Sequence, residues 1–158
     1  MKDWKLFVPD TMPDPILTAG EGFATLTLPE ERMAGFLEKD FTGLAGEAVK
    51  IHVETDADPA LNNRVGAVMT LITADGQNTA TLYLEPSVGQ DGKLVFDIVH
   101  ERMDAVTCQL SLYAKWFTGS VTFSNVTVED APAIPVRKAR IVTTRIWPPV
   151  PSTCEKNI

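Results

Sequence analysis

Cysteine and histidine are scarce in this chain of 158 residues, which limits the sites it can build. The two histidines, His52 and His100, have no Cys or His neighbour at the spacing of a zinc ligand set. Nothing in the sequence points to a disulfide between Cys108 and Cys154. Two unpaired thiols fit a reducing compartment.

Long apolar runs are also missing. No segment approaches the about 18 consecutive apolar residues of a membrane-spanning helix, and no apolar stretch of signal-peptide length follows the N-terminal residues. We therefore expect no membrane partner and a cytoplasmic location.

Basic residues are outnumbered, with 14 Lys and Arg against 21 Asp and Glu and a net charge of -7. A nucleic-acid partner would require clustered positive charge, so we expect none. The chain has no Gly-flanked Ser elbow, and neither His lies near a nucleophile in the sequence. We therefore expect no catalysis by these residues.

What the sequence does have is alternation of apolar and polar residues with a period of two, between turns rich in Gly, Asp and Asn. This pattern is typical of an all-β protein. Eight segments read as strands, of which 64–73 is more continuously apolar than the others: 4–8, 22–28, 48–55, 64–73, 79–86, 93–99, 105–116 and 120–129. The sequence therefore predicts a jelly-roll β-sandwich of about eight antiparallel strands over residues 1–130. A break in the alternation at Ser124 and Asn125 predicts a β-bulge.

One segment has helical spacing instead. In residues 28–41, Met33, Phe36 and Leu37 are spaced as on one face of a helix, with Pro29 at its start and Gly43 beyond its end. We predict a short helix that closes one end of the sandwich.

The pattern changes after residue 130. Residues 131–136 contain two prolines and no periodicity, which predicts a short stiff linker. Residues 137–158 then read as a strand, a Pro-rich loop and a helix start, where Ser152 and Glu155 have the spacing of a capping box. Domains in which strands and helices alternate begin with this order of elements.

These terminal residues resemble a known family. "RKARIVTTRI" and "PSTCEKNI" resemble the first strand and first helix start of the carbon–nitrogen hydrolases, the nitrilase superfamily. The resemblance implies that 137–158 is the truncated start of a nitrilase-like domain, in an enzyme that hydrolyses non-peptide C–N bonds through a cysteine thioester. The family's Glu, Lys and Cys catalytic residues lie downstream of this match, so neither Cys154 nor Glu155 takes a catalytic role.

The preceding stretch, "GSVTFSNVTVEDAP", resembles the last strand of galactose-binding-like jelly rolls, which include carbohydrate-binding modules. Ser124 and Asn125 stand where that strand often has two Asp, which weakens the case for a structural calcium. Asp56, Asp58, Asn62 and Asn63 share one loop, but their spacing fits no EF-hand. We expect no cofactor.

The two resemblances together predict a non-catalytic N-terminal module of a carbon–nitrogen hydrolase, with the downstream hydrolase domain as its partner. Two alternatives remain open. The chain is a stand-alone carbohydrate-binding module, or it is a structural sandwich domain that forms homo-oligomers.

If the module binds a glycan or another polar small ligand, the candidates lie on the long segment 105–116 and its neighbours. Trp116 ends the inward-facing set of that segment, where it either closes the core or stacks on a sugar. Tyr113 and Gln109 point outward, and Tyr83 lies on another strand. Together with Lys115 and His52, these three predict a polar binding surface; the alternative is an ordinary solvated sheet face.

Overall fold

The computed structural model describes residues 3–134. These residues form eleven β-strands and one 3-10 turn, Pro59–Leu61. The strands are β1 Lys5–Phe7, β2 Ile16–Gly20, β3 Phe23–Leu28, β4 Ala34–Thr42, β5 Ala48–Thr55, β6 Val65–Thr73, β7 Asn78–Tyr83, β8 Pro86–Val88, β9 Leu94–Glu101, β10 Ala105–Lys115 and β11 Gly119–Ala131.

The strands form two antiparallel sheets that pack face to face. Sheet A has the order β1-β4-β10-β6-β7, and sheet B has the order β2-β3-β11-β5-β9-β8. The predicted all-β jelly-roll sandwich is therefore confirmed. Among residues 3–134, no helix is long and apolar enough to cross a membrane.

The core lies between the sheets, where the period-two pattern places it. In β10, Cys108, Leu110 and Leu112 are fully buried, and the residues between them face outward. In sheet B, Ile51 and Phe123 face them and are also fully buried. Complete burial of one such aliphatic side chain contributes about 1.5–3 kcal/mol, so the alternation itself specifies which face of each strand points inward.

The predicted helix over 28–41 is wrong. Residues 34–42 form β4, which pairs with β1 on one side and with β10 on the other. Hydrogen bonding on both sides outweighs the weak helical spacing of Met33, Phe36 and Leu37, because propensity is a weaker preference than tertiary pairing.

The structure has eleven strands where about eight were predicted. The helix prediction accounts for one of the missing strands, and the exposure of two short edge strands accounts for the others. Each of the eight predicted segments overlaps a strand, but β4 was read as a helix. The other two missed strands, β2 and β8, are short edge strands with almost every residue exposed, so they have no buried face to create an alternation.

The predicted bulge is present. The register between β11 and β5 shifts between Ser124 and Thr127, and Asn125 has a φ of 49°.

The predictions for the C-terminal segment remain predictions. β11 ends at Ala131, while the strand, Pro-rich loop and capping box expected in 137–158 lie outside the described residues.

Candidate functional site

Aromatic side chains cross the outer face of sheet A in one row. Phe7 of β1 is paired with Phe36 of β4, and Phe36 is paired with Tyr113 of β10. Across the next strand, β6, Tyr83 lies on β7 opposite Val68. We call Phe7, Phe36, Tyr113 and Tyr83 the aromatic row. Because neighbouring strands lie about 4.8 Å apart, it runs across the strands rather than along one.

Three of the four rings in the row contact one another in series, and Phe7 adjoins Phe36 through strand pairing. The centroids of Phe36 and Tyr113 are 5.7 Å apart, and those of Tyr113 and Tyr83 are 6.4 Å apart with their planes at 78°. Tyr83 is 72% exposed and Phe7 is 48% exposed, at the two ends of the row, whereas Tyr113 is only 8% exposed in the middle. The result is a continuous apolar strip with solvent-facing rings at both ends.

Gly66 explains how an outward-facing tyrosine becomes buried. It is paired with Tyr113 on β6, and a Cβ at position 66 would lie 2.4 Å from both Cζ and Oη of Tyr113. The tyrosine ring therefore lies directly over the glycine backbone. Burial is the main cause of the raised pKa of Tyr113, with a smaller contribution from Tyr83. The hydroxyl stays protonated at neutral pH and can both donate and accept a hydrogen bond.

Polar groups border the row. Gln109 lies on the same face of β10, and its side-chain nitrogen donates to Oδ1 of Asp40 at 3.2 Å. A shallow cavity of about 390 Å³ continues from Phe7 past Glu38 and Asp40 to Gln109. Apolar rings bordered by a few polar groups are the usual composition of a small-ligand site.

The structure thus brings together three of the four predicted site residues: Tyr113, Tyr83 and Gln109. The inward orientation predicted for Trp116 is wrong. β10 ends at Lys115, Trp116 has a φ of 63°, and its side chain is 41% exposed. Phe117, which is buried, closes the core at this end instead.

Trp116 is instead a backbone anchor at the end of the strand. Its N–H donates to the carbonyl of Met33 at 3.0 Å, and its own carbonyl accepts from the Arg64 guanidinium. A side chain at such a strand end does not extend the row across the sheet.

His52 belongs to a different surface from the one predicted. It lies on β5, on the outer face of sheet B, where its two ring nitrogens bond to Asp97 and Glu54. The hydrogen bonds from these carboxylates, that of Glu54 first, raise the pKa of His52 above its ordinary value of 6.5.

Sequence reasoning missed Phe7, Phe36 and Gly66. Phe36 was assigned to a helix, and Phe7 lies in a strand of three residues, too short to show an alternation. For Gly66, the only available signal was a glycine within an apolar strand, which often marks close approach of another group.

Two aspartates of the polar loop before β6 hydrogen-bond to backbone N–H groups. Asp56 accepts a hydrogen bond from the backbone N–H of Thr122 at 2.8 Å, and Asp58 caps the 3-10 turn by accepting from Ala60. Within residues 3–134, no group of three or more His, Cys, Asp or Glu side chains is placed to hold a metal ion.

Comparison with known proteins identifies the fold but not a family. No protein-family model and no curated protein matches the chain. The enzymatically active domain of tailspike protein 4 of bacteriophage CBA120 superposes with a TM-score of 0.65 at 13% identity, over 81% of this chain and 19% of that chain.

Carbohydrate-binding modules are among the similar structures. TmCBM61, solved with β-1,4-galactotriose, gives a TM-score of 0.52 at 9% identity over 82% of this chain and 90% of that chain. The CBM22-1-GH10 modules of Clostridium thermocellum xylanase Xyn10B, solved with xylohexaose, give 0.51 at 16% identity, over 85% and 27% of the two chains. At these identities the similarity establishes the sandwich fold alone.

Proposed function

We propose that this chain is a non-catalytic carbohydrate-binding module whose ligand lies along the aromatic row. The observation that carries the proposal is the continuity of that row across sheet A. A sugar ring has an apolar C–H face and a rim of hydroxyls, so it matches exposed rings with polar neighbours. The fold shared with TmCBM61 and the Xyn10B modules is consistent with this function.

The row also discriminates against a purely structural role. A flat outer face of Thr, Ser and Lys would need no ligand. Here Tyr83 and Phe7 expose large ring surfaces, and Glu38, Asp40 and Gln109 lie beside them.

The test is isothermal titration calorimetry with β-1,4-galactotriose and xylohexaose on the wild type, on Tyr83→Ala and on a control, Val99→Ala. Val99 is 47% exposed on the outer face of sheet B, so its removal leaves the row intact. We expect Tyr83→Ala to weaken binding about two- to twelvefold, since loss of one aromatic stacking contact costs about 0.5–1.5 kcal/mol. Val99→Ala should bind like the wild type.

Equal affinity of both variants would place the ligand elsewhere. Absence of saturable binding to any neutral oligosaccharide, combined with a dimer in sedimentation that Tyr83→Ala dissociates, would support the oligomerisation role instead.

We further propose that the module belongs to a carbon–nitrogen hydrolase. The support is the resemblance of residues 137–158 to the start of that family's domain. Sequencing the source DNA past Ile158 tests the idea. About 250 further codons with a Glu, a Lys and a Cys in successive β-α segments would support it, and a stop codon would remove it.

A further inference from the structure

A second cleft opens between the two sheets at one edge of the sandwich. It has a volume of about 830 Å³, within the range of small-ligand sites. One wall comes from β4 and the residues before β1, and the other comes from the β2–β3 turn and the bulge of β11. Its β4 side chains alternate toward sheet B, and at its rim it adjoins the smaller cavity beside the aromatic row, with which it shares Asp3 and Lys39.

The pairing of β4 shows that this cleft is an unfilled part of the interior. Leu37 points between the sheets and is fully buried. Lys39 and Phe41 follow on the same side, since they are paired with the inward-facing Leu110 and Cys108. Both are only half-buried, so this end of the space between the sheets is open to solvent.

The side chains of this wall form an aromatic surface with a cation. Trp4 and Phe41 meet edge to face, with centroids 6.1 Å apart and planes at 70°. The Nζ of Lys39 lies 4.9 Å from the centroid of the Phe41 ring. Among the described residues, no ion pair joins Lys39 to a carboxylate. An interior-facing lysine held only by a ring keeps its N–H donors available to a ligand.

The opposite wall supplies acceptors and room. Gly22, with a φ of 83°, has nothing within 4 Å of the position of a Cβ. Asn125 lines this wall, and its side chain donates an amide N–H to Oε1 of Glu54 at 2.9 Å. Glu21 and Asp3 line the cleft as well.

We propose that this cleft is a second carbohydrate site that takes one or two residues of a neutral sugar. Two carboxylates and one ammonium give the lining a net negative charge, which disfavours an anionic ligand. Sugar hydroxyls can donate to Asp3 and Glu21 while they accept from Lys39, and a sugar face can pack on Trp4. The choice of a sugar as the ligand rests on the proposed function, whereas the position of the site does not depend on that function.

Two adjoining sites that share Asp3 and Lys39 would let one polysaccharide contact both. When one polysaccharide is held at one site, its contact with the second site forms at a high effective concentration. The overall affinity then exceeds that of either site alone. A module of this kind would hold a polymer more tightly than it holds a short oligosaccharide.

The test is a titration of ¹⁵N-labelled full-length protein with galactose, xylose, β-1,4-galactotriose and xylohexaose, followed by amide and indole NMR signals. We expect saturable shifts of the Trp4 indole and of the Gly22 and Asn125 amides, which Tyr83→Ala leaves in place. Lys39→Met keeps the aliphatic stem over Phe41 and should raise the Kd obtained from these shifts at least about tenfold, the effect of one lost hydrogen bond to a charged group. Lys50→Met, on the exposed face of β5, is the matched control.

This experiment distinguishes failure of the second site from failure of the site along the aromatic row. Shifts at Tyr83 and Tyr113 without shifts at Trp4, Gly22 and Asn125 would overturn the second site and leave the aromatic row standing. Shifts confined to the cleft would support the second site and overturn the row. An unchanged cleft response in Lys39→Met would also overturn the second site as described here.

Discussion

Gly66 and Tyr113 illustrate how one residue can decide the shape of a surface. The tyrosine is oriented outward by the alternation of β10, yet it is buried because its partner on the next strand has no side chain. A glycine within a strand usually weakens it. At this position the glycine instead lets an aromatic ring lie flat and join the rings of Phe36 and Tyr83.

This contact predicts the effect of Gly66→Ala. A Cβ 2.4 Å from Tyr113 forces the ring away, and such overpacking costs about 1–3 kcal/mol. Urea denaturation should show this loss, and oligosaccharide affinity should fall with it. In a Tyr113→Ala background the same substitution should cost almost nothing. An equal cost in both backgrounds would show that the glycine serves the backbone rather than the ring.

At the scale of elements, three strands of sheet B are joined by polar side chains on their outer face. His52 on β5 bonds to Asp97 on β9 and to Glu54 on its own strand, and Glu54 accepts from Asn125 on β11. The hydrogen bond to His52, and a smaller one from Asn125, lower the pKa of Glu54 below its ordinary value of 4.5. These groups are substantially solvent-exposed, so the contribution is small, below about 1 kcal/mol.

The shifted pKa values predict a pH window for this stabilisation. Because the pKa of His52 is raised in the folded state, its contribution is complete below 6.5 and is lost as the pH rises through the folded value. The pKa of Glu54 is lowered, so its contribution holds above 4.5 and is lost as the pH falls through its folded value. His52→Gln should therefore lower the melting temperature most between about pH 4.5 and 6.5.

Melting curves from pH 5 to 9 check this, with Lys50→Gln as a control on the same face of β5. The difference between His52→Gln and wild type should shrink above neutral pH. A difference that stays constant across the range would show that His52 contributes by packing and not by charge.

The whole molecule is acidic, with a net charge of -7. Such a field repels polyanions, and it has no Coulomb interaction with a neutral sugar. The affinity for xylohexaose should therefore change less than about twofold between 50 and 500 mM NaCl, a range over which the Debye length shortens about threefold. Calorimetry at both salt concentrations tests this. A steep salt dependence would indicate a charged ligand.

Only part of the fold and site was accessible from the sequence. The alternation of apolar residues is a local signal, and it was enough to predict the sandwich, the bulge near Asn125 and the outward face of Tyr113 and Gln109. Strand adjacency is not local. Nothing near Phe36 in the sequence shows that β1 and β10 will pair on either side of it and turn a helical spacing into a strand.

The tertiary structure alone decided the remaining features. It assembled the aromatic row from separate strands, ended β10 before Trp116 and left Lys39 and Phe41 half-buried. Each depends on register and packing between segments distant in sequence, and the free energy of those contacts outweighs local preferences of a few tenths of a kcal/mol per residue. The sequence by itself determined which faces of most strands are buried, because burying apolar side chains is the dominant stabilising term.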